Sequence, residues 1–200
     1  MKIVVVATRN RGKQREIECC LDGVVDKVLC AADFESFPET IEDGSTFEEN
    51  AMKKAREAMQ FTGMPALADD SGLEVAVLGG APGVYSARYA GEGAGDAANN
   101  FKLLDAIKGV PWESRKAAFV CSLAFVAPDG TERLFRGRIE GHIIDDARGD
   151  GGFGYDPLFL VDIFDKTMAE LAMEEKNRIS HRGQALKAFK LFLDEYGDQY

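Results

Sequence analysis

The spacing of hydrophobic residues changes along the chain, and each change marks a predicted element. The run Ile3–Val6 is continuous and β-branched, which is typical of a strand buried on both faces. Over residues 46–60 the apolar positions recur at helical spacing behind two overlapping capping-box patterns, and Gly63 and Pro65 end the pattern. The first third of the chain is therefore predicted to hold a buried strand and an amphipathic helix.

Similar reasoning predicts elements along the rest of the chain. Pro128, Asp129 and Gly130 are typical of a hairpin turn, and Thr167 and Glu170 have the spacing of a capping box. The further predicted strands cover residues 24–30, 66–68, 117–127, 131–144 and 158–161, and the further helices cover residues 14–21 and 96–108, a short stretch after Thr167, and the chain from about residue 180. Parallel-type strands, helices and a long hairpin together indicate an α/β or mixed α+β fold with a mixed sheet.

Composition narrows the class of protein. At 200 residues, 46% hydrophobic and 29% charged, the chain is typical of a globular protein, forming one domain or two lobes that share a sheet. The net charge of −10 argues against a general nucleic-acid binder, which needs a basic face. The apolar N-terminal run is too short for a signal peptide, and no run approaches a membrane span. A cytoplasmic location is expected, with neither nucleic acid nor membrane as a partner.

The cysteines predict no metal or disulfide framework. Cys19, Cys20, Cys30 and Cys121 contain no C-x-x-C pair and have no histidine nearby in sequence. They are interpreted as buried free thiols.

A candidate anion site follows the first strand, at residues 8–13. A loop between a buried strand and a helix presents N–H groups and the positive end of the helix dipole to a ligand. Thr8, Asn10 and Lys13 add a hydroxyl, an amide and a cation. The segment is not a P-loop, because Ala7 and Gln14 stand where that motif requires a glycine and a hydroxyl. An ordinary strand–turn–helix with solvated cations remains the alternative.

Two adjacent acids, Asp69 and Asp70, are expected just past the end of the strand at residues 66–68. Neighbouring carboxylates repel each other unless a cation compensates, and hard oxygen ligands suit Mg²⁺ carried with phosphates. An Asx turn is the alternative. Glu42 and Asp43 are candidates to complete a metal shell, or belong to a solvated acidic loop. Lys54 becomes functional only if its helix face points toward Lys13, and is otherwise a surface lysine.

The glycine-rich segment 151–157 carries two aromatic rings and a carboxylate. Aromatic faces that stack on a base, with polar groups at its edge, are how proteins hold single nucleobases. The alternative is a turn that leads into a strand, with Phe153 and Tyr155 in the core.

A cluster of basic residues stands at the start of the last helix. His181 and Arg182 follow Ser180, where cations are unfavourable by roughly 0.3–1 kcal/mol each, and Lys176 lies just upstream. This favours a ligand-facing role over a solvent-exposed basic turn. Donors aimed at a base edge would favour a purine with a carbonyl at C6 over one with an amino group.

These motifs together resemble the inosine/xanthosine triphosphate pyrophosphatase family. The resemblance runs in the family's order from residue 8 to residue 185. The matching stretches are residues 8–13, 46–51, 68–73, 79–89, 151–157 and 180–185.

The resemblance implies a single domain over residues 1–200, with two α/β lobes around a long, twisted mixed β-sheet and an active-site cleft between them. It implies a homodimeric, Mg²⁺-dependent hydrolase that converts ITP, dITP and XTP to the monophosphate and pyrophosphate, which removes deaminated purines from the nucleotide pool.

By position, the resemblance implies that Lys13 and Lys54 neutralise developing charge and that Glu42 and Asp70 bind Mg²⁺. Asp70 would also orient or deprotonate the attacking water, and the choice between Glu42 and Asp43 stays open. The implied substrate contacts are Thr8, Arg9, Asn10, Arg11, Gly12 and Lys13 for the triphosphate, Ser71, then Phe153, Gly154, Tyr155 and Asp156 for the purine, and Lys176, His181 and Arg182 for its carbonyl edge.

Two other functions stay open. A non-catalytic purine-nucleotide sensor would use the same pocket, although the acids and lysines needed for catalysis are present. A pyrophosphatase acting on standard or pyrimidine triphosphates is the second, and the basic cluster at residues 176–182 argues against it.

Overall fold

The computed structural model describes residues 1–197 and residue 200. In chain order its helices and strands are β1 (Ile3–Val6), α1 (Arg11–Leu21), β2 (Lys27–Cys30), α2 (Phe47–Thr62), β3 (Ala66–Val75), α3 (Asp96–Ala106), β4 (Lys116–Val126), β5 (Glu132–Ile143), β6 (Phe159–Val161), β7 (Lys166–Thr167), α4 (Met173–Ile179) and α5 (His181–Tyr196).

The strands form one open, mixed sheet in the order β2-β1-β3-β4-β5-β6-β7. Strand β1 runs parallel to β2 and β3, whereas β6 runs antiparallel to β5 and β7. The predicted α/β fold with a mixed sheet is therefore confirmed.

The chain divides into two compact units. The first contains Met1–Asp70, Cys121–Gly137 and His181–Tyr200, and the second contains Ser71–Val120 and Arg138–Ser180. Strands β3, β4 and β5 contribute residues to both units. Among the described residues, no helix combines the length and apolar character needed to cross a bilayer.

Helices cover both faces of the sheet in the first unit. Leu67 of β3 packs in a core cluster with Ile17 of α1 and Phe189 of α5, whereas Ala68 packs with Ala51 of α2. Successive strand residues point to opposite faces, so one strand supplies side chains to both helical layers. The second unit has its own core, in which Leu73, Leu103, Phe119, Ile143 and Phe159 are buried.

Helix α1 begins at Arg11, three residues before the predicted start. Asn10 caps it, because its side-chain oxygen accepts hydrogen bonds from the N–H groups of Gly12 at 2.9 Å and Lys13 at 3.0 Å. The segment predicted as an anion-binding loop therefore includes the first helical turn.

Strand β3 is longer than predicted. It continues through Asp69 and Asp70 to Val75, so the expectation that the two acids follow the strand end was wrong. Aspartate is depleted in strands, which is why the sequence pattern indicated an end there. The strand tolerates the two aspartates because lysine and arginine side chains lie beside each carboxylate.

Two features of the helices also differ from the sequence analysis. Helix α4 had no predicted counterpart. The sequence predicts Asp96 as the N-cap of α3, because aspartate is a common capping residue, but Gly95 is the N-cap residue and the Asp96 carboxylate instead accepts a hydrogen bond from the Gly154 N–H at 2.7 Å.

The cysteines are free, as predicted, but Cys19 is exposed whereas Cys30 and Cys121 are buried. Burial raises the pKa of Cys30 and of Cys121 to about 12. The thiolate, which is the reactive form, is therefore scarce at these two sites near pH 8. We expect iodoacetamide to modify Cys19 first in the native protein and Cys121 only after unfolding, as read by peptide mass spectrometry. Equal rates at Cys19 and Cys121 would contradict the fold around β4.

Candidate active site

Lys54 lies between two carboxylates in the first unit. Its Nζ donates to Glu42 Oε1 at 2.8 Å and to Asp70 Oδ1 at 3.0 Å. Burial alone would lower the pKa of Lys54, but Asp70, Asp69 and Glu42 outweigh it and raise that pKa. The lysine is therefore held as a cation inside the fold, and its helix face points inward rather than to solvent.

Asp70 is a buried carboxylate with altered basicity. Burial raises the pKa of its carboxyl group above the ordinary aspartate value, although Lys54 and Lys13 act in the opposite direction. A carboxylate with a raised pKa accepts a proton more readily, so this side chain has the character expected of a general base.

Asp69 faces a different set of partners. Its Oδ2 lies 3.3 Å from Lys13 Nζ and accepts from Arg182 Nε at 3.2 Å and Nη2 at 2.9 Å. Burial would raise the pKa of Asp69, but Lys13, Arg182 and Lys54 hold that pKa well below its usual range. The two adjacent acids are thus tolerated because each meets its own cations on opposite faces of β3.

Arg182 also donates through Nη1 to Glu16, and both side chains are almost fully buried. Glu16 was not a predicted site residue. The signal available in the sequence was an acid three residues after Lys13, on the helix turn that carries the buried Ile17. The carboxylates of Asp69 and Glu16 offset the unfavourable placement of the Arg182 cation in the first turn of α5.

The predicted phosphate segment forms an exposed turn at the start of α1. Thr8 Oγ1 accepts a hydrogen bond from the Asn10 N–H at 3.2 Å, and Arg9 Nη2 donates to the Phe37 carbonyl at 2.9 Å. Arg11 is exposed, and Lys13 is half-buried over Asp69. The segment presents cationic side chains to solvent from a capped helix end.

A second group of predicted residues assembles in the second unit. Asp156 Oδ2 accepts from the Phe153 N–H at 2.8 Å and from Lys176 Nζ at 2.6 Å. Lys176 Nζ also lies 5.0 Å from the centroid of the Phe153 ring, which is a cation–π distance. Gly152 has φ +72°, and a Cβ there would lie 2.0 Å from Asp156 Oδ2, so the close approach requires glycine.

Tyr155 anchors the same segment from inside the second unit. Its ring belongs to the core cluster, and its hydroxyl donates to the Ser86 carbonyl at 2.8 Å. Burial raises the pKa of this hydroxyl. Gly154 accepts a hydrogen bond from Asn100 through its carbonyl at 3.0 Å. Phe153, by contrast, is half-buried.

The structure therefore groups most predicted site residues by unit. In the first unit Lys13 and Arg182 meet at Asp69, Lys54 and Glu42 meet at Asp70, and His181 is buried at the start of α5. The second unit gathers Phe153, Gly154, Tyr155, Asp156 and Lys176, and it includes the half-buried Ser71.

Glu42 and Asp70 are the residues that could hold a divalent cation. Among the residues described, no three His, Cys, Asp or Glu side chains converge as a ready metal cluster. Glu42 and Asp70 nevertheless converge on one ammonium group, and carboxylate oxygens are hard ligands. Mg²⁺ is commonly bound by one or two carboxylates together with substrate phosphates and water. The donor set matches that mode of binding.

Comparison with known proteins identifies the family of this chain. The model of the Ham1 family matches residues 4–192. A dITP/XTP pyrophosphatase of Geobacter sulfurreducens is 57% identical over 190 residues, covering 95% of this chain and 96% of that protein. The one from Bacillus licheniformis is 50% identical, covering 98% of this chain and all of that protein.

Among solved structures, a HAM1 protein from Coxiella burnetii superposes with a TM-score of 0.87 at 44% identity, covering 98% of this chain and 100% of that chain. The Staphylococcus aureus Ham1 protein gives a TM-score of 0.86 at 41% identity, covering 97% of this chain and 99% of that chain. The family model, the sequence relatives and the solved structures each match nearly the whole chain. This chain therefore belongs to the Ham1 family.

Proposed function

We propose that this chain is a nucleoside-triphosphate pyrophosphatase that hydrolyses deaminated purine nucleotides, namely ITP, dITP and XTP, to the monophosphate and pyrophosphate. The relatives named dITP/XTP pyrophosphatase support the substrate class. The observation that carries the proposal is the buried Asp70, whose carboxylate shares Lys54 with Glu42. A carboxylate can accept a proton from the attacking water, and the neighbouring lysine cations can stabilise charge on the phosphate.

In this proposal Asp70 orients the attacking water and accepts its proton. Lys13 and Lys54 neutralise the negative charge that develops on the phosphates, and residues 8–12 bind the triphosphate. Glu42 and Asp70 would hold Mg²⁺, which when bound supplies charge stabilisation at phosphate oxygens. Catalysis of this kind rests on positioning and electrostatic stabilisation rather than on covalent intermediates.

The purine is proposed to bind the group in the second unit. Phe153 offers the half-buried ring on which a base stacks, and Tyr155 supports that segment from the core. Gly154 and Asp156 line the pocket, and Ser71 contacts substrate. Lys176 of this group is proposed as a hydrogen-bond donor to the carbonyl at C6, and a facing donor would disfavour the amino group of adenine. The family resemblance is the ground for proposing the same role for His181 and Arg182, which belong to the first unit.

A panel of nucleotides tests this function. Purified protein with Mg²⁺ is given ITP, dITP, XTP, GTP, ATP and dTTP separately, and pyrophosphate and orthophosphate are measured. We expect pyrophosphate with ITP, dITP and XTP at rates far above those with ATP and dTTP. Binding of ITP without any pyrophosphate would favour a sensor, and equal turnover of dTTP would favour a pyrophosphatase without purine selectivity.

The second metal ligand is tested by a pair of neighbouring acids. Glu42 shares Lys54 with Asp70, whereas Asp43 is exposed and bonded to Lys53 at 2.7 Å. We expect Glu42→Gln to raise the Mg²⁺ concentration for half-maximal ITP hydrolysis by roughly tenfold or more, because losing one ligand weakens a site with few protein ligands. Asp43→Asn should leave that concentration unchanged. The reverse pattern would assign the ligand to Asp43.

We also propose that the chain works as a homodimer in the cytoplasm and that residues 1–200 behave as one domain. Light scattering after size-exclusion chromatography measures the mass, and calorimetry shows whether the chain unfolds in one transition. A monomer at micromolar concentration, or two separate transitions, would contradict these proposals.

A further inference from the structure

Asn50 is a fully buried amide that touches the proposed catalytic group. It lies on α2, one turn before Lys54, and its side chain has no solvent exposure. Its Nδ2 donates to Asp70 Oδ2 at 3.2 Å, and its Oδ1 accepts from the Gly44 N–H at 2.8 Å. A buried amide is costly unless both ends find partners, and here both ends do.

The orientation of this amide is determined by its partners. The backbone N–H of Gly44 is a donor, so the Asn50 atom that faces it must be the oxygen. The nitrogen must then face Asp70, where it meets a carboxylate acceptor. The amide therefore cannot turn over without placing two donors together at Gly44 and two acceptors together at Asp70.

Gly44 is a glycine because of this contact. A Cβ at residue 44 would lie 2.6 Å from Asn50 Oδ1 and 2.9 Å from Glu49 Cβ, closer than real Cβ atoms come. The loop that carries Glu42 can approach α2 this closely only without a side chain at position 44.

The two oxygens of Asp70 are consequently oriented by one face of α2. Oδ1 accepts from Lys54 and Oδ2 accepts from Asn50, and these two residues are four apart on the helix. Both also hold the loop before α2, Lys54 through Glu42 and Asn50 through Gly44.

We propose that Asn50 is a positioning residue for Asp70. It fixes the rotation of the Asp70 carboxylate and, through Gly44, the loop that presents Glu42. This inference rests on the proposed function of Asp70. A carboxylate that orients water must be held in one rotamer, and misplacement by about 1 Å can cost on the order of 100-fold in rate.

The experiment compares variants of the whole protein with ITP and Mg²⁺. Asn50→Ala removes both contacts. Asn50→Asp keeps an acceptor for the Gly44 N–H but sets a carboxylate oxygen against Asp70, so it separates the loop contact from the Asp70 contact. The matched control is Asn99→Ala, because Asn99 is a buried amide in the second unit that accepts from the Ala90 N–H at 2.8 Å and donates to the Ala87 carbonyl at 3.1 Å.

We expect Asn50→Ala to lower kcat by roughly 10- to 100-fold with little change in KM, because the lost hydrogen bond orients a charged catalytic group and not the phosphates. Asn50→Asp should lower kcat at least as much. Asn99→Ala should reduce the melting temperature while kcat stays within about twofold of wild type. The affinity of Asn50→Ala for a non-hydrolysable α,β-methylene analogue of ITP should remain that of wild type.

A kcat for Asn50→Ala within twofold of wild type would overturn the inference, and so would an equal loss of kcat in Asn99→Ala. Crystal structures of wild type and Asn50→Ala without nucleotide give a readout that is independent of turnover. A changed Asp70 rotamer supports the positioning role, and an unchanged rotamer refutes it. Failure of wild type itself to hydrolyse ITP would refute the proposed function, while this structural comparison would still decide the role of Asn50.

Discussion

Asp70→Asn should lower the kcat for ITP hydrolysis by roughly 10²- to 10⁴-fold, the range that a positioned proton acceptor contributes. Asparagine has nearly the same shape as aspartate, although its amide nitrogen must face either Lys54 or Asn50, which both donate to Asp70. The amide cannot accept the proton of water and is a weaker ligand for a cation. Steady-state kinetics at several Mg²⁺ concentrations, with the released pyrophosphate quantified, give the measurement.

The matched control is Asp129→Asn in the hairpin turn. Asp129 is exposed, and its Oδ1 accepts from the Thr131 N–H at 2.8 Å, a contact that an asparagine oxygen can also make. Its kcat should equal that of wild type. If Asp70→Asn kept wild-type turnover with Mg²⁺ saturating, both proposed roles of Asp70 would be wrong.

Arg182→Met should destabilise the protein by about 3–5 kcal/mol, because it removes one partner of a buried ion network. Arg182 is 1% exposed and donates to both Asp69 and Glu16. Without the guanidinium, these two buried carboxylates lose their shared cation. For a protein of this size, the melting temperature should fall by roughly 6–20 °C.

An exposed arginine provides the comparison for this loss. Arg56 makes a two-pronged ion pair with Glu132 at 2.7 and 2.6 Å, yet its side chain is 51% exposed. Arg56→Met should cost less than about 1 kcal/mol, because solvent already screens that pair. Thermal denaturation of both variants is the test. Equal shifts in melting temperature would show that burial of the Arg182 network adds nothing to stability.

Local chemistry made parts of this fold predictable. Helix α2 was expected from its apolar spacing and from two overlapping capping patterns. Residues of both patterns make the cap: the Thr46 hydroxyl accepts from the Glu49 N–H at 3.2 Å, and the Glu49 carboxylate accepts from the Ser45 N–H at 2.7 Å. Gly63 ends the helix in the left-handed conformation that glycine adopts most easily. Such signals lie within a few residues of the feature that they determine.

What the sequence left hidden depends on distant partners. Glu16 and Arg182 are 166 positions apart, so neither residue alone indicates the ion pair. Asp69 and Asp70 were expected past a strand end, because the cations that allow charges inside β3 come from α1, α2 and α5. In the sequence Lys54 has the pattern of a surface lysine, because the acids that surround it become its neighbours only in the folded chain.

The alternation of β3 has a consequence for how this chain can vary. Neighbouring residues of the strand pack against different helical layers. Deleting one residue between Ala66 and Ala68 would therefore move each later side chain of β3 to the opposite face of the sheet, where Asp69 and Asp70 would no longer meet their own cationic partners. This segment should therefore accept changes of residue type far more readily than changes of length.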